Sequence, residues 1–200
     1  MSKTKRERVL ELLKETGVLR PRDLKEVGIS GAYLNKLHAE GVLDRPSRGL
    51  YALADSEPSE HRTIAEVCKR VPHGVVCLLS ALRYHDLTTQ APFEVWLAID
   101  QKARLPSIDY PPMRFVRFSG EALSFGIEKH DVDGVEVHIY SAAKTVADCF
   151  KYRNKIGLDV AIEALRDCLQ QRTATLDELW AAAKVCRMSN VMRPYLEAVT

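Results

Sequence analysis

The first 54 residues contain three short helical segments followed by a polar, basic hairpin, and this order constrains the fold more than any other feature of the chain. Thr4 and Glu7 have the spacing of a capping box, in which each side chain satisfies the other's backbone amide. Apolar residues then recur at helical spacing until Gly17, where we expect the first helix to end.

Two further helices are predicted before the hairpin. Proline at the first helical position predicts a short second helix over residues 21–27. Ser30 is the expected N-cap of a third helix over residues 31–40, whose Leu34 and Leu37 would face the core.

Residues 42–54 predict the hairpin. Two strand-like runs, residues 42–43 and 50–53, flank a turn that contains Arg45, Ser47 and Arg48. Three helices followed by a basic hairpin are the order of a winged helix-turn-helix, a module that binds duplex DNA. The alternative that remains open is a winged helix that serves only as a packing or protein-contact module.

Geometry identifies the candidate DNA contacts. The third helix would enter the major groove, where Asn35 can pair with adenine and Ala32 can contact a thymine methyl group. Small residues at its start would allow close approach, and the wing arginines suit phosphates. The expected contacts are Ser30, Gly31, Ala32, Tyr33, Asn35 and Lys36 on the helix, and Arg45, Ser47 and Arg48 on the wing.

Charge distribution supports a two-domain organisation. Residues 1–54 hold 11 basic and 7 acidic side chains, whereas the rest of the chain holds 18 and 20. A basic module joined to a mildly acidic body is typical of a DNA-binding protein with a second domain. The polar residues 55–60 are the expected linker, so we predict domains at 1–54 and 61–200.

The second domain is predicted to be mixed, which makes the protein α+β. Residues 75–84 are an apolar helix candidate, and residues 93–99 and 113–118 are strand candidates. Asp133-Gly134 is a strong hairpin signal, and Ser141 caps a predicted helix that runs to about residue 153. We expect a mainly antiparallel sheet followed by C-terminal helices.

Several classes of protein are not supported. The five cysteines are scattered and form no CxxC pair, so we expect reduced, structural thiols. There is no long apolar run, and the basic N-terminus continues into an amphipathic helix and lacks the apolar core of a signal peptide. We therefore expect a cytoplasmic protein that does not contact membranes.

Catalytic motifs are weak. The chain has no HExxH, no glycine-rich phosphate loop and no GxSxG, so we expect no metal, no cofactor and no catalytic residue. Asp100 and Lys102 follow a predicted strand and faintly resemble the end of a Mg²⁺-dependent nuclease site, to which Asp86 or Glu94 would add a carboxylate. A solvated loop is the alternative to this nuclease-like site, and His85 beside Asp86 is expected to be a capping or surface group.

A cluster of basic residues lies in the second half of the chain. Lys144, Lys151, Arg153 and Lys155 lie on and after one predicted helix. We expect a solvated face, with phosphate contacts or an acidic partner as alternatives.

Ten segments spread over the chain resemble, in order and spacing, the AbiEi family of antitoxins from type IV toxin–antitoxin (abortive-infection) systems. They are GISGAYL from residue 28, EGVL from 40, RGLY from 48, VCLLSAL from 76, HDLT from 85, VWLAI from 95, VRF from 116, GI from 126, DGV from 133 and SAAKTVADC from 141. Ala143 and Lys144 depart from the family, where a more polar, arginine-containing segment precedes the threonine.

The resemblance implies a function for each domain. The winged helix would bind inverted repeats in its own promoter and repress the operon. The second domain would support cooperative DNA binding and counteract a nucleotidyltransferase-like toxin, without catalysis and without a stable toxin complex. A transcriptional regulator that lacks antitoxin activity is the alternative.

Overall fold

A computed structural model describes residues 3–55, 60–106, 108 and 110–198, with the exception of the Ser47 side chain. The predicted linker falls largely on residues 56–59, which lie outside the described residues. The chain divides into two compact units, Met1–Arg70 with Asp131–Val137, and Val71–His130 with His138–Thr200. The protein is α+β, as predicted. None of the described helices has the length and apolar character to cross a membrane.

The first unit begins with the elements of a winged helix-turn-helix. In chain order these are α1 (Lys5–Thr16), β1 (Val18–Leu19), one 3₁₀ turn (Asp23–Lys25), α2 (Ala32–Ala39), β2 (Leu43–Ser47), β3 (Leu50–Leu53) and α3 (Arg62–Arg70). The strands form an antiparallel sheet in the order β1-β3-β2. Strand β3 is therefore central, and the β2–β3 hairpin is the wing.

Local sequence signals explain where α1 begins and ends. Thr4 Oγ1 accepts from the Glu7 amide at 3.2 Å, and the Glu7 carboxylate accepts from the Thr4 amide at 2.8 Å, which confirms the predicted capping box. Gly17 ends the helix with a positive φ of 62°, a conformation that costs glycine little.

The second and third helices differ from prediction at their starts. In the second segment only Asp23–Lys25 is helical, as a single 3₁₀ turn. The Asp23 carboxylate accepts from the Arg20 amide at 2.8 Å at the start of this turn. Helix α2 has Gly31 as its N-cap, with no side-chain capping bond. The prediction of Ser30 as N-cap was wrong, since Ser30 lies one position outside and its Oγ is 3.4 Å from the Ala32 amide.

Helix α3 packs within the first unit. Arg20 Nη1 donates to the Lys69 carbonyl, and Lys69 Nζ is 3.5 Å from Asp23 Oδ2. Arg70 Nη2 donates to the Arg48 carbonyl at 2.7 Å. The domain boundary predicted after residue 54 remains a prediction, but these contacts show that residues after it also belong to the first compact unit.

Residues 131–137 complete the first unit. Asp133 and Gly134 both have positive φ values, of 52° and 74°, which confirms the predicted tight turn. A Cβ on Gly17 would lie 1.4 Å from the Asp133 carbonyl oxygen, and a Cβ on Gly134 would lie 2.5 Å from the Thr16 carbonyl carbon. Neither glycine can be replaced without moving backbone, so the turn closes tightly against the end of α1.

The second unit is built from helices and a mixed sheet. Its elements are β4 (Val75–Val76), α4 (Leu78–Tyr84), β5 (Val95–Asp100), β6 (Met113–Phe118), α5 (Glu121–Ser124), β7 (Ile127–Val132), β8 (Val135–Tyr140), α6 (Ala142–Lys151), α7 (Arg153–Ile156), α8 (Leu158–Gln170), α9 (Leu176–Val185) and α10 (Ser189–Ala198); the tip of the β7–β8 hairpin is the segment already placed in the first unit.

The sheet departs from the predicted, mainly antiparallel arrangement. Its order is β6-β5-β4-β8-β7, with β5 parallel to β6 and β4 parallel to β8, whereas β4 and β5 are antiparallel. The chain between β5 and β6 is long enough to return to the same end of the sheet, and this permits a parallel neighbour.

The predicted helix over residues 75–84 is wrong in its first part. Val75 and Val76 form β4 at the centre of the sheet, and the helix starts at Leu78. A short, continuous apolar run is compatible with a buried strand or a buried helix, so its periodicity does not distinguish the two.

Helix α6 is buried on all sides. All residues from Ala142 to Phe150 are buried, among them Lys144, which was predicted to lie on a solvated face and has no exposed surface. Lys144 Nζ lies 2.5 Å from Asp148 Oδ2 and 4.2 Å from the Tyr140 ring centroid. Burial raises the pKa of Asp148, and the Lys144 charge opposes that rise. The prediction that Lys144 lies on a solvated face was therefore wrong. Its charge can be buried because the ion pair with Asp148 compensates part of the cost.

The thiols match prediction. All five cysteines are free and buried, and burial raises the pKa of Cys68 to about 12. A buried thiol with a raised pKa carries little thiolate and packs as a small apolar group.

Candidate nucleic-acid interface

Helix α2 buries one face and exposes another. Leu34 and Leu37 are fully buried in the core of the first unit, whereas Ala32, Asn35 and Lys36 are exposed. An α-helix with one free polar face has the dimensions to enter the major groove. The sequence had placed Leu34 and Leu37 inward, and the structure confirms both.

The start of α2 is shaped by packing against Pro21. A Cβ on Gly31 would lie 2.6 Å from the Pro21 Cβ, so this position requires glycine for space within the protein. Ser30 and Ala32 are exposed and flank it. The prediction attributed the small size of Gly31 to close approach of DNA, and the structure supplies a packing reason for it.

Asn35 is oriented by a hydrogen bond from the wing. Tyr51, on β3 and 2% exposed, donates from its hydroxyl to Asn35 Oδ1 at 2.5 Å. The bond fixes which end of the amide faces the protein, so the two Nδ2 hydrogens point away from Tyr51. The amide is thereby held as a donor for a base edge, and Oδ1 keeps a second lone pair.

Two more side chains surround the Tyr51 ring. His38 Nδ1 lies 2.8 Å from the Leu43 carbonyl oxygen and therefore donates, and its ring meets the Tyr51 ring edge-on at 6.4 Å. The Arg45 guanidinium lies 5.8 Å from the centroid of the same ring, within cation–π range. Tyr51 thus connects the exposed face of α2 to the wing strands.

The tip of the wing is held from α3. Arg48 is exposed, and Gly49 takes a positive φ of 77° in the turn that follows. The Arg48 carbonyl accepts from Arg70 Nη2, which ties the turn to α3 and leaves the Arg48 guanidinium at the surface. Ser47 has its backbone in β2, paired with Leu50, and its side chain lies outside the described part of the structure.

The remaining two predicted contacts, Lys36 and Tyr33, differ in how far their side chains are exposed. Lys36 Nζ is 3.9 Å from Glu40 Oε1, and the Lys36 side chain is largely solvated, whereas that of Glu40 is about two-fifths exposed. Such a surface pair contributes little, so Lys36 can move to a phosphate at small cost. Tyr33 is half-buried against the core of the first unit.

Sequence reasoning missed Tyr51, His38 and Arg70. The position of Arg70 depends on how α3 packs, for which the sequence gives no signal. For Tyr51 the sequence does give a signal, because a tyrosine in an otherwise apolar strand requires a hydrogen-bond partner for its hydroxyl once it is buried.

The nuclease-like candidates do not form a cluster. Glu94 pairs with Arg114 at 2.8 Å, and Asp100 Oδ1 accepts from the Lys102 amide at 2.7 Å. The Asp86 carbonyl accepts from Gln171. Within the described ranges, no three His, Cys, Asp or Glu residues are placed to hold a metal ion.

The first unit therefore has the architecture of a winged helix-turn-helix, with α2 as its exposed helix and the β2–β3 hairpin as its wing. Residues 7–54 match the family described as "Transcriptional regulator, AbiEi antitoxin". The match runs from α1 through β3 and supports, for this part of the chain, the resemblance found from the sequence. This segment is thus similar to transcriptional regulators of the AbiEi antitoxin family. No curated protein matches the chain.

Proposed function

We propose that the protein is a DNA-binding autorepressor and antitoxin, which binds inverted repeats in its own promoter in the cytoplasm. The observation that carries the DNA-binding part is the orientation of Asn35 on the exposed face of α2 by Tyr51. An oriented amide on a helix that fits the major groove is suited to base recognition.

Base recognition would come from α2. Asn35 would contact adenine through Nδ2 and the free lone pair of Oδ1, and the exposed Ala32 would contact a thymine methyl group. Ser30, Gly31 and Tyr33 would lie beside the DNA at the start of the helix. Two copies of the protein on an inverted repeat would each read one half-site.

Phosphate contacts would come mainly from the wing. Arg45 and Arg48 are exposed, and both are attached to a hairpin whose turn is held by Arg70. Lys36 would add a contact from α2, and Ser47 would add one from β2. Such contacts set the position of the protein on the duplex, whereas α2 reads the sequence.

The antitoxin part of the proposal derives from the family resemblance. The second unit would counteract a nucleotidyltransferase-like toxin encoded in the same operon, without catalysis and without a stable complex between the two proteins. The family match covers residues 7–54 only. A regulator without antitoxin activity therefore stands as the second candidate.

Binding to the promoter tests the DNA-binding part. We expect the full chain to bind DNA from upstream of its own gene more tightly than a scrambled duplex. The double variant Arg45→Glu/Arg48→Glu should lose this binding. The matched control, Arg104→Glu/Arg193→Glu, makes the same charge change at exposed positions of the second unit and should retain it. Equal affinity for cognate and scrambled DNA would contradict the proposal.

Co-expression tests the antitoxin part. If the adjacent gene encodes a nucleotidyltransferase, its expression alone should arrest growth, and expression of this protein should restore growth. The Arg45→Glu/Arg48→Glu variant, expressed from an unrelated promoter, should still protect, since protection is assigned to the second unit. DNA binding without protection would support the regulator alone.

A further inference from the structure

A basic cleft in the second unit has no part in the proposed DNA interface. Its volume is about 740 Å³, within the range of small-molecule sites. Three cations line it: Lys151 at the end of α6, Lys184 near the end of α9, and Arg187 two residues after α9. Among the described residues of the lining, Glu121 contributes the single acidic side chain.

The three cations form no ion pair with a described residue, although the Lys151 charge acts on the buried Asp148 carboxylate and opposes the rise in its pKa. No described carboxylate lies within ion-pair distance of Lys151, Lys184 or Arg187, although Lys151 Nζ lies 5.5 Å from the Phe118 ring centroid. Like charges that converge on one cleft repel each other, and a bound anion relieves that repulsion. Lysine and arginine together are the side chains that bind phosphate groups.

The rest of the lining suits an organic group. Ala122, Phe125, Ala181 and Val185 provide apolar surface beside the cations. Phe125 is only half-buried, so part of its side chain remains available to a planar ring. The Glu121 carboxylate accepts hydrogen bonds only, as hydroxyl groups of a ribose would require.

We propose that this cleft binds a nucleoside phosphate, with the phosphates on Lys151, Lys184 and Arg187 and the nucleoside on the apolar side near Glu121. A concave cleft with an apolar wall favours a small ligand over the phosphates of a duplex, which lie on a convex surface. The proposal is independent of the proposed promoter binding, because it uses other residues in the other unit.

Equilibrium binding to the full chain tests the site. The probes are the four ribonucleoside diphosphates, with adenosine as the probe that lacks phosphate. We expect saturable binding of at least one diphosphate below about 1 mM, weakening as salt is added, and no binding of adenosine. The double variant Lys184→Gln/Arg187→Gln should raise its Kd at least tenfold.

Two controls distinguish binding in the cleft from nonspecific attraction between an anion and any exposed cation. Arg193→Gln removes an exposed cation elsewhere in the second unit and should change the Kd less than twofold, and Lys184→Arg should retain binding. Three results would overturn the proposal: absence of saturable binding with all four diphosphates, equal binding of adenosine, or an equal loss in Arg193→Gln. If the double variant instead weakens promoter binding while no diphosphate binds, the cleft holds DNA phosphates and the proposal is wrong.

Discussion

The hydroxyl of Tyr51 donates a hydrogen bond to Oδ1 of Asn35, and this contact joins the wing to the exposed face of the helix that precedes it. The two residues are 16 positions apart. Asn35 is exposed and Tyr51 is buried, so the buried residue controls the orientation of the exposed one.

Removal of the Tyr51 hydroxyl should therefore reduce discrimination between DNA sequences. Tyr51→Phe keeps the ring that contacts His38 and Arg45, so the fold should remain, with a loss of about 1 kcal/mol in unfolding free energy. We expect weaker binding to the cognate promoter and unchanged binding to a scrambled duplex, measured by fluorescence anisotropy. Tyr195→Phe, at a half-buried tyrosine of the second unit, is the matched control. A variant that keeps the wild-type preference would show that the bond is only structural.

The wing arginines should determine part of the salt dependence of the affinity for promoter DNA. Each phosphate contact adds about 0.9 to the magnitude of the slope of log K against log salt concentration. Arg48→Gln should lower that magnitude by about one, whereas Arg193→Gln should leave it unchanged. Titration of promoter binding with KCl measures both slopes. Identical slopes for wild type and Arg48→Gln would remove Arg48 from the interface.

Lys144 should be essential for stability. Lys144→Met leaves the Asp148 carboxylate buried without its cation, and loss of one partner of a buried pair costs roughly 3–5 kcal/mol. The double variant Lys144→Met/Asp148→Leu removes both charges and should regain most of that loss. Denaturant unfolding gives the two free energies. If the single variant is as stable as the double, the pair does not carry this role.

The environment of His85 predicts a pH dependence. Burial lowers the pKa of His85, outweighing the hydrogen bond to the Tyr140 carbonyl at 2.8 Å and the nearby Glu128 charge, both of which raise the pKa. A histidine whose pKa is lower in the folded protein than in the unfolded chain stabilises the fold at pH values above the unfolded-state pKa, which is about 6.5. This stabilisation is lost as the pH falls from the unfolded-state pKa to the folded-state pKa.

Unfolding free energies at several pH values between 7.5 and 5 check this expectation. Wild type should lose stability on acidification, and His85→Gln should lose less, because glutamine does not titrate. His73→Gln, at an exposed histidine, should follow the wild-type profile. A His85→Gln profile parallel to wild type would contradict the assignment.

Local patterns were sufficient for much of the first unit. The capping box at Thr4 and the inward positions Leu34 and Leu37 follow from short-range rules and are found in the structure. Asp133-Gly134 likewise forms its turn. These features depend on neighbours within a few residues, which the sequence displays directly.

Long-range contacts explain what could not be predicted. Lys144 was expected at the surface because charged residues follow it along the chain, but the burial of α6 depends on its contacts with other elements. The bond from Tyr51 to Asn35 and that from Arg70 to Arg48 join separate elements. No periodicity within one segment indicates such pairs.

The order of synthesis has a consequence for the first unit. Its main part ends at Arg70, but the turn that closes against Gly17 belongs to Asp131–Val137, made about sixty residues later. At about 5–20 residues per second, a ribosome takes roughly 3 to 12 s to reach that segment. The winged helix therefore emerges first, but the β7–β8 turn that packs against the end of α1 is added only after more than half of the chain has been translated.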